Sequence, residues 1–573
     1  TLDWSYILLP AEEQLLLRHL AVFAGGFTLE ATASVMRHSE IAETAILDGL
    51  AGLVARSLVT FDGSAAPDRW RLLETIRAYA SEKLDESGES DGARRQHAEY
   101  FRDLFVPESG SRSRLTHDDL AVRVREIDNV RAALDWAFSG VGNAEIGIDL
   151  TAAYGPVWLN LSLMAECRER CGRALQDVER AATPNPQTQM WLQIALGSSL
   201  IDTMGDVELA RMLLARALET AETLDDLDAE ARALIGLMTA SQYHGEHGRA
   251  RIAVNRVVQI ADRLGDPAVS LVANRIKATM LLTIGRLREA QPVLDRIMQS
   301  HDPPQNRGRA LWYSTGHRAS DRAMLSRLLW LRGFVEQAHR EAQASLDELG
   351  PTDPKLLICR ILYIGMCRLA PMTGDFAAAE QANARLIEVA TGLNARRFQT
   401  LGRFLEGKLM VERGEFALGL AALRDGFDIC GQTGWRMSYP EFNCWLAVAL
   451  VGLGQLDEAL DAVEEGLLGS GQGEDGQRWY VPELLRIKGE ITLRQGMAET
   501  AEGCFLEAQS LAQEQGALFW ELRVALSLAY LRAGQRRPDE ARQILAPVYA
   551  QFTEGFATTD LRAAKALLEA VTR

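Results

Sequence analysis

Positive charge is in short supply in this chain. Its 573 residues hold 61 Lys+Arg against 78 Asp+Glu, a formal net charge of −17. Phosphate contacts supply most non-specific affinity for nucleic acid, so this balance works against unassisted binding to nucleic acid or to an anionic membrane surface. Cysteine is scarce as well. The seven (Cys167, Cys171, Cys359, Cys367, Cys430, Cys444 and Cys504) are odd in number and scattered, which argues against a disulfide framework and for a reducing, cytoplasmic setting. No apolar run reaches the roughly 18–20 residues that span a bilayer, and no signal peptide opens the chain. A Gly-x-x-x-x-Gly-Lys-Ser/Thr loop is missing. So is any Ser/His/acid set or carboxylate pair at a defined turn, so the chain is read as non-enzymatic with no cofactor or metal of its own. It begins at Thr1, inside an amphipathic segment, and reads as a piece of a longer protein.

What remains is helix, and its punctuation carries the information. Residues 1–90 form one module. Pro10 followed by Glu12 and Glu13 starts a helix running to about Phe23. Gly25-Gly26 breaks it, a short helix follows from Thr28, and a third spans about Glu43 to Ser57. Leu58–Phe61 and Arg69–Leu72 then alternate like two strands, and another helix starts near Glu74. Three helices and a two-stranded wing are winged-helix order. Such a module can place its third helix in a DNA groove. Here that helix is mostly aliphatic, and residues 1–90 hold 7 Lys+Arg against 14 Asp+Glu. Direct nucleic-acid binding is therefore not expected.

Residues 91–150 read as a helical connector, and residues 151–573 are periodic. Glycines punctuate helical segments at 205, 245, 285, 333, 374, 414, 454, 496 and 534, at steps close to 40. Five residues after the first eight stand Ala210, Ala250, Ala290, Ala338, Ala379, Gly419, Ala459 and Ala501, all small; Ala541 serves the ninth unit. Each unit is a helix, a tight turn and a second helix, with small residues letting the two axes approach to about 8–10 Å. One hairpin cannot bury its apolar face alone, so neighbours stack into a superhelix. The predicted fold is all-α: nine to ten hairpins behind a small winged-helix module.

This small–turn–small grammar resembles the tetratricopeptide repeat, whose usual unit of about 34 residues is shorter. Three other groups of residues extend the likeness. Leu20–Glu30 (LAVFAGGFTLE) and Arg69–Ala80 (RWRLLETIRAYA) look like the winged-helix segment of bacterial STAND-type signal-transduction ATPases. Ile127–Ala137 (IDNVRAALDWA) looks like their connector. Phe519–Ala529 and Ala546–Leu561 look like their C-terminal end. The resemblance implies a switch: an output domain, an ATPase core, a winged-helix segment and a repeat region that senses an inducer. It implies ATP and Mg only in an ATPase core outside this chain, with that core as a partner of the winged-helix module. In related switches a Met-His-Asp motif after the wing touches nucleotide. The matching place here reads Leu72-Leu73-Glu74, so direct nucleotide sensing is not carried over.

Repeat geometry aims the residue six before each turn glycine at the inner surface. Three consecutive units place Arg327, Arg368 and Lys408 there, a basic ladder. Arg275 and Arg486 sit one turn further back, and Trp330, Arg397, Phe404 and Trp479 lie near the row. Such a mix fits an anionic or aromatic small molecule, or a protein or peptide. A solvated ladder paired with Glu406 and Glu412 is the bland alternative. A plain adaptor docking a partner without any switch is the rival function. His244 and His247 read as turn decoration, since two histidines make no zinc site. Gly471-x-Gly473-x-x-Gly476 reads as a loop, because no strand precedes it.

Overall fold

The computed structural model describes residues 2–39, 43–63, 67–106, 117–180, 185–203, 206–300, 318–350, 353–471 and 476–572. The chain divides into two compact units. The first holds residues 1–158 and 166–196, the second residues 159–165 and 197–573.

The first unit opens on helix Leu2–Ile7, followed by Ala11–Leu20, Leu29–Val35 and Glu43–Ala55. Thr28 caps the third of these by accepting from the Ala31 amide, as a β-region Thr before a helix should. The wing is an antiparallel pair, β1 (Val59–Asp62) and β2 (Arg69–Leu72), with Thr60 opposite Arg71. A bridge between Phe27 and Trp70 ties it back to the Gly25-Gly26 turn. Helix Glu43–Ala55 presses its glycine side on helix Ala11–Leu20: a Cβ on Gly49 would come within 2.8 Å of Leu16. Helices Glu74–Ser87, Ser90–Phe105 and Ile127–Ala137 follow, and the hairpin Ala144–Asn160 with Met164–Arg180 comes next.

The second unit is a stack of helical hairpins. Gly245, Gly285, Gly333, Gly374, Gly414, Gly454 and Gly496 turn the chain with φ between +75° and +91°, a region open to Gly at no steric cost. The small residues five positions on are buried without exception, from Ala210 to Ala541. Gly407 and Gly419 show why: a Cβ on either would meet the other's carbonyl oxygen at 3.1 or 2.9 Å. Two turn positions differ from the sequence reading. Gly205 lies outside the described residues. Gly534 is still helical, in Leu518–Gly534, and the left-handed residue is Arg536 (φ 61°). The two extra residues of that unit move the turn past the glycine.

Units far apart in sequence touch. The Arg436 amide donates to the Tyr243 carbonyl at 2.5 Å, Gln337 to Glu554 over 217 residues, and Arg288 to the Gln513 carbonyl over 225 residues. With a period near 40, the stack closes a superhelical turn in roughly five units. The inner face is therefore lined on several sides at once. Among the described residues no helix is long and apolar enough to cross a membrane, and no group of three or more His, Cys, Asp and Glu is placed to hold a metal ion.

A cationic cluster on the inner face of the repeats

The ladder residues are carried by the first helices of successive hairpins. Arg327 is on Arg318–Leu331, Arg368 on Met366–Thr373 and Lys408 on Arg396–Glu412. They do not form an open stripe. Arg368 and Lys408 are buried, 6% and 2% exposed, and the Nε and Nη2 of Arg327 are buried too. All three surround one carboxylate, Glu441, on helix Tyr439–Gly452. Glu441 is 2% exposed. It accepts from Arg368 Nη2 at 2.6 Å, and Arg368 Nη2 also reaches the Tyr363 hydroxyl at 2.5 Å and Ser438 Oγ at 3.2 Å. A helix break makes this reach available. Gly365 (φ −92°, ψ −94°) separates helix Lys355–Ile364 from Met366–Thr373, so Tyr363 and Arg368 flank a kink.

The electrostatics are lopsided. Burial pushes the Glu441 carboxyl up despite its three cationic neighbours. Burial pulls Arg368 down, but Glu441 with Tyr363 and Tyr480 together outweigh it, leaving the guanidinium raised. Burial lowers Lys408, whose Nζ has a 3.5 Å ion pair with the partly exposed Glu412 but, among the described residues, no hydrogen-bond partner. Burial and then the neighbouring Arg368 lower Arg327. Its guanidinium lies 3.9 Å from the centre of the Trp479 ring, and Arg368 lies 5.4 Å from the same ring. Cation–π contact of this kind offsets only part of the cost of taking a cation out of water.

The other sequence candidates fall outside this cluster. Arg275 grips Asp321 through Nε and Nη2, both at 2.7 Å, with each partner 2% exposed. Arg486 does the same to Glu483, both bonds at 2.8 Å, and Glu483 also feels Arg523 and Lys408. Arg397 packs on Phe398 and Tyr243 at 4.3 and 5.4 Å. Trp330 stacks edge-on to Trp520, and Phe404 lies flat on Phe442 at 3.8 Å. Glu406, a suggested partner of the ladder, pairs with Arg403 instead. Trp435, Tyr439, Trp445, Tyr480 and Trp520 are all buried core. His247 is no turn decoration: it is 6% exposed, a Cβ on Gly471 would lie 3.8 Å from its ring, and burial pushes it down to about 4. Gly473 of the glycine-rich loop lies outside the described residues. All seven cysteines are buried, and none is in a disulfide.

Sequence reading missed Glu441 and Glu483. Both stand thirteen residues before their turn glycines (454 − 13 and 496 − 13), and Glu521 stands thirteen before Gly534. A recurring acid seven residues, two helical turns, before the ladder position was the available signal.

In the first unit Leu72 ends β2, buried, Leu73 is exposed and Glu74 opens the next helix. Arg56, which follows helix Glu43–Ala55, pairs with Glu13 at 3.1 Å.

Comparison with known proteins places residues 9–85 in a family described as a winged helix-turn-helix domain. Over 336 residues the chain is 28% identical to "Putative HTH-type transcriptional regulator Mb0914c" of Mycobacterium bovis, a match covering 51% of this chain and 37% of that protein. The chain thus spans well under half the length of this curated relative. It is 23% identical over 403 residues to an uncharacterised protein of Rhizobium meliloti, covering 66% of this chain and 37% of that protein. Among solved structures, a STAND protein with a tetratricopeptide repeat sensor from Pyrococcus horikoshii aligns with 11% identity and a TM-score of 0.30, covering 90% of this chain and 67% of that one.

Proposed function

We propose that this chain is the sensing and autoregulatory region of a STAND-type transcriptional regulator. In this reading the repeats bind an inducer on their inner face, and the winged-helix module relays the bound state to an ATPase core outside the chain. The observation that carries it is the convergence of Arg327, Arg368 and Lys408, from three consecutive hairpins, on the single carboxylate of Glu441. Buried cations in excess of their partners are costly to a fold. Retaining them on the face where a repeat protein receives its ligand supports a binding role over a structural one. The winged-helix match and the similarity to an HTH-type regulator support the regulatory setting.

The module serves relay rather than DNA recognition in this reading. Its acid excess and the tethering of Arg56 to Glu13 leave little to meet phosphates. A passive adaptor holding an extended peptide fits less well, because contacts between distant units, such as Tyr243 with Arg436, line the inner face.

A ligand can shift a switch only by binding one state better than the other. The test is a thermal-shift screen of this chain against a metabolite panel of neutral and charged compounds, followed by hydrogen exchange on any hit. A hit raises the melting point of the folded repeats and changes amide exchange in the wing, residues 59–72. A hit that leaves wing exchange untouched removes the relay, and a panel without a hit removes small-molecule sensing.

A further inference from the structure

Arginine holds a carboxylate best through one edge, the Nε–H and Nη2–H pair, which matches two oxygens in a plane. This chain fills that edge repeatedly. Arg275 presents Nε and Nη2 to Asp321, Arg486 presents them to Glu483, and Arg232 presents them to Asp228 at 2.7 and 3.1 Å. Arg327 departs from the pattern. The same two atoms are buried, yet among the described residues neither has a hydrogen-bond partner. Its flat face is taken up by Trp479, so the edge is what it has left to offer.

The surrounding charge points the same way. Arg327, Arg368 and Lys408 face Glu441, and Lys408 also has Glu412 at 3.5 Å. Arg368 is bonded to Glu441 and Lys408 is paired with Glu412, so the cation of the three left without an acceptor is Arg327. The Nε of Arg368 and the Nζ of Lys408 are further buried donors without a hydrogen-bond partner. One added carboxylate satisfies the Arg327 fork.

From this we infer that the inducer carries a carboxylate, which docks side-on against Nε and Nη2 of Arg327, with Lys408 and Arg368 supplying the neighbouring positive charge. The assignment rests on the sensing role proposed above and narrows it to one ligand class. Because Arg327 and Arg368 occupy Trp479, that ring is not the platform for an aromatic ligand body.

The probes are acetate, benzoate and inorganic phosphate, each titrated against chloride at constant ionic strength while thermal unfolding of the whole chain is followed. Acetate or benzoate is expected to raise the midpoint saturably. The effect should weaken at least tenfold in Arg327→Leu and also in Arg327→Lys, which keeps the charge and loses the fork. Arg327→Leu alone should fold and be no less stable than the parent, since it removes a buried cation lacking an acceptor. Stabilisation by phosphate but not by the carboxylates overturns the ligand class. Equal stabilisation in parent and both variants, or no response to any of the three, overturns the site. A metabolite hit that binds Arg327→Leu as well as the parent leaves sensing intact and removes only the carboxylate cradle.

Discussion

Arg69, on the second strand of the wing, forms a buried ion pair with Glu126, the residue that precedes helix Ile127–Ala137. Arg69 also donates to the Gly26 carbonyl at 2.6 Å. Asn129 completes the knot, donating to Gly26 and Glu126 and accepting from the Gly25 amide at 2.9 Å. The Gly25-Gly26 turn, the wing and the connector are the segments that carried the family likeness, and in the folded first unit they meet at this point. Little room surrounds it: a Cβ on Gly26 would lie 3.2 Å from Arg69 Nε and 3.3 Å from the Trp70 carbonyl.

Breaking one partner of this pair should cost far more than replacing both. Glu126→Ala leaves the Arg69 guanidinium buried with only carbonyl partners, a loss of about 3–5 kcal/mol for pairs of this type. Arg69→Met combined with Glu126→Leu removes both charges and should recover most of that loss. Urea denaturation of the parent, the single and the double variant checks the ordering. A Glu126→Ala protein as stable as the parent would mean the pair is solvated.

Two helical glycines separate packing from propensity. Gly503, exposed on helix Ala498–Gln515, has nothing within 4 Å of an added Cβ, so Gly503→Ala should stabilise by about 0.5–1 kcal/mol. Gly407 has Leu423 at 2.8 Å and the Gly419 carbonyl at 3.1 Å from the same added atom. Gly407→Ala should therefore destabilise by about 1–3 kcal/mol in spite of its better helix propensity. Opposite signs in chemical denaturation are the expected result.

Those glycines also mark what could be read in advance. Turn glycines and the small residues behind them stand at fixed register, so the hairpin and its close helix packing follow from local spacing alone. The wing follows from a Gly-Gly break and two alternating strands. The enclosure of Arg327, Arg368 and Lys408 does not, because superhelical curvature sums small rotations over several units, and no single unit encodes that Tyr243 will meet Arg436. The counter-charges were harder still. Arg275 and Asp321 are 46 residues apart, and Arg368 and Glu441 are 73 apart; the repeated acid thirteen residues before the turn pointed to Glu441, and Asp321 does not share that offset.

Acid should weaken the first unit through His97. This side chain is 2% exposed, sits edge-on to Phe23 and Phe101, and its Nε2 has no hydrogen-bond partner among the described residues. Burial pushes it down to about 3, against about 6.5 in an unfolded chain. Between those values the unfolded chain holds the extra proton. Stability is thus constant above about pH 6.5, falls by about 1.4 kcal/mol per pH unit as the pH drops through that window, and levels off below about 3. His97→Leu removes this contribution. The difference in unfolding free energy between parent and variant should change by about 2 kcal/mol from pH 7 to pH 5, measured by urea denaturation at each pH, with no change expected from pH 8 to pH 7.

The cluster around Glu441 makes a sharper test of which charges the fold depends on. Glu441→Gln removes the carboxylate bonded to Arg368 at 2.6 Å and leaves that buried guanidinium without its counter-charge, so a loss of about 3–5 kcal/mol is expected. Lys408→Met has the opposite logic. Its Nζ contributes one 3.5 Å pair with a partly exposed acid and lies 5.6 Å from the Trp445 ring, while burial opposes its charge. An unbranched thioether of similar length keeps the packing, so the variant should be as stable as the parent or more so. If Glu441 is needed chiefly to balance the cations, the two changes are coupled, and adding Lys408→Met to Glu441→Gln should return at least about 1 kcal/mol of the loss in a double-mutant cycle. Additive effects would show instead that Glu441 serves Arg368 alone, and that Lys408 is held by Glu412 and Trp445 without reference to the carboxylate at the centre of the cluster.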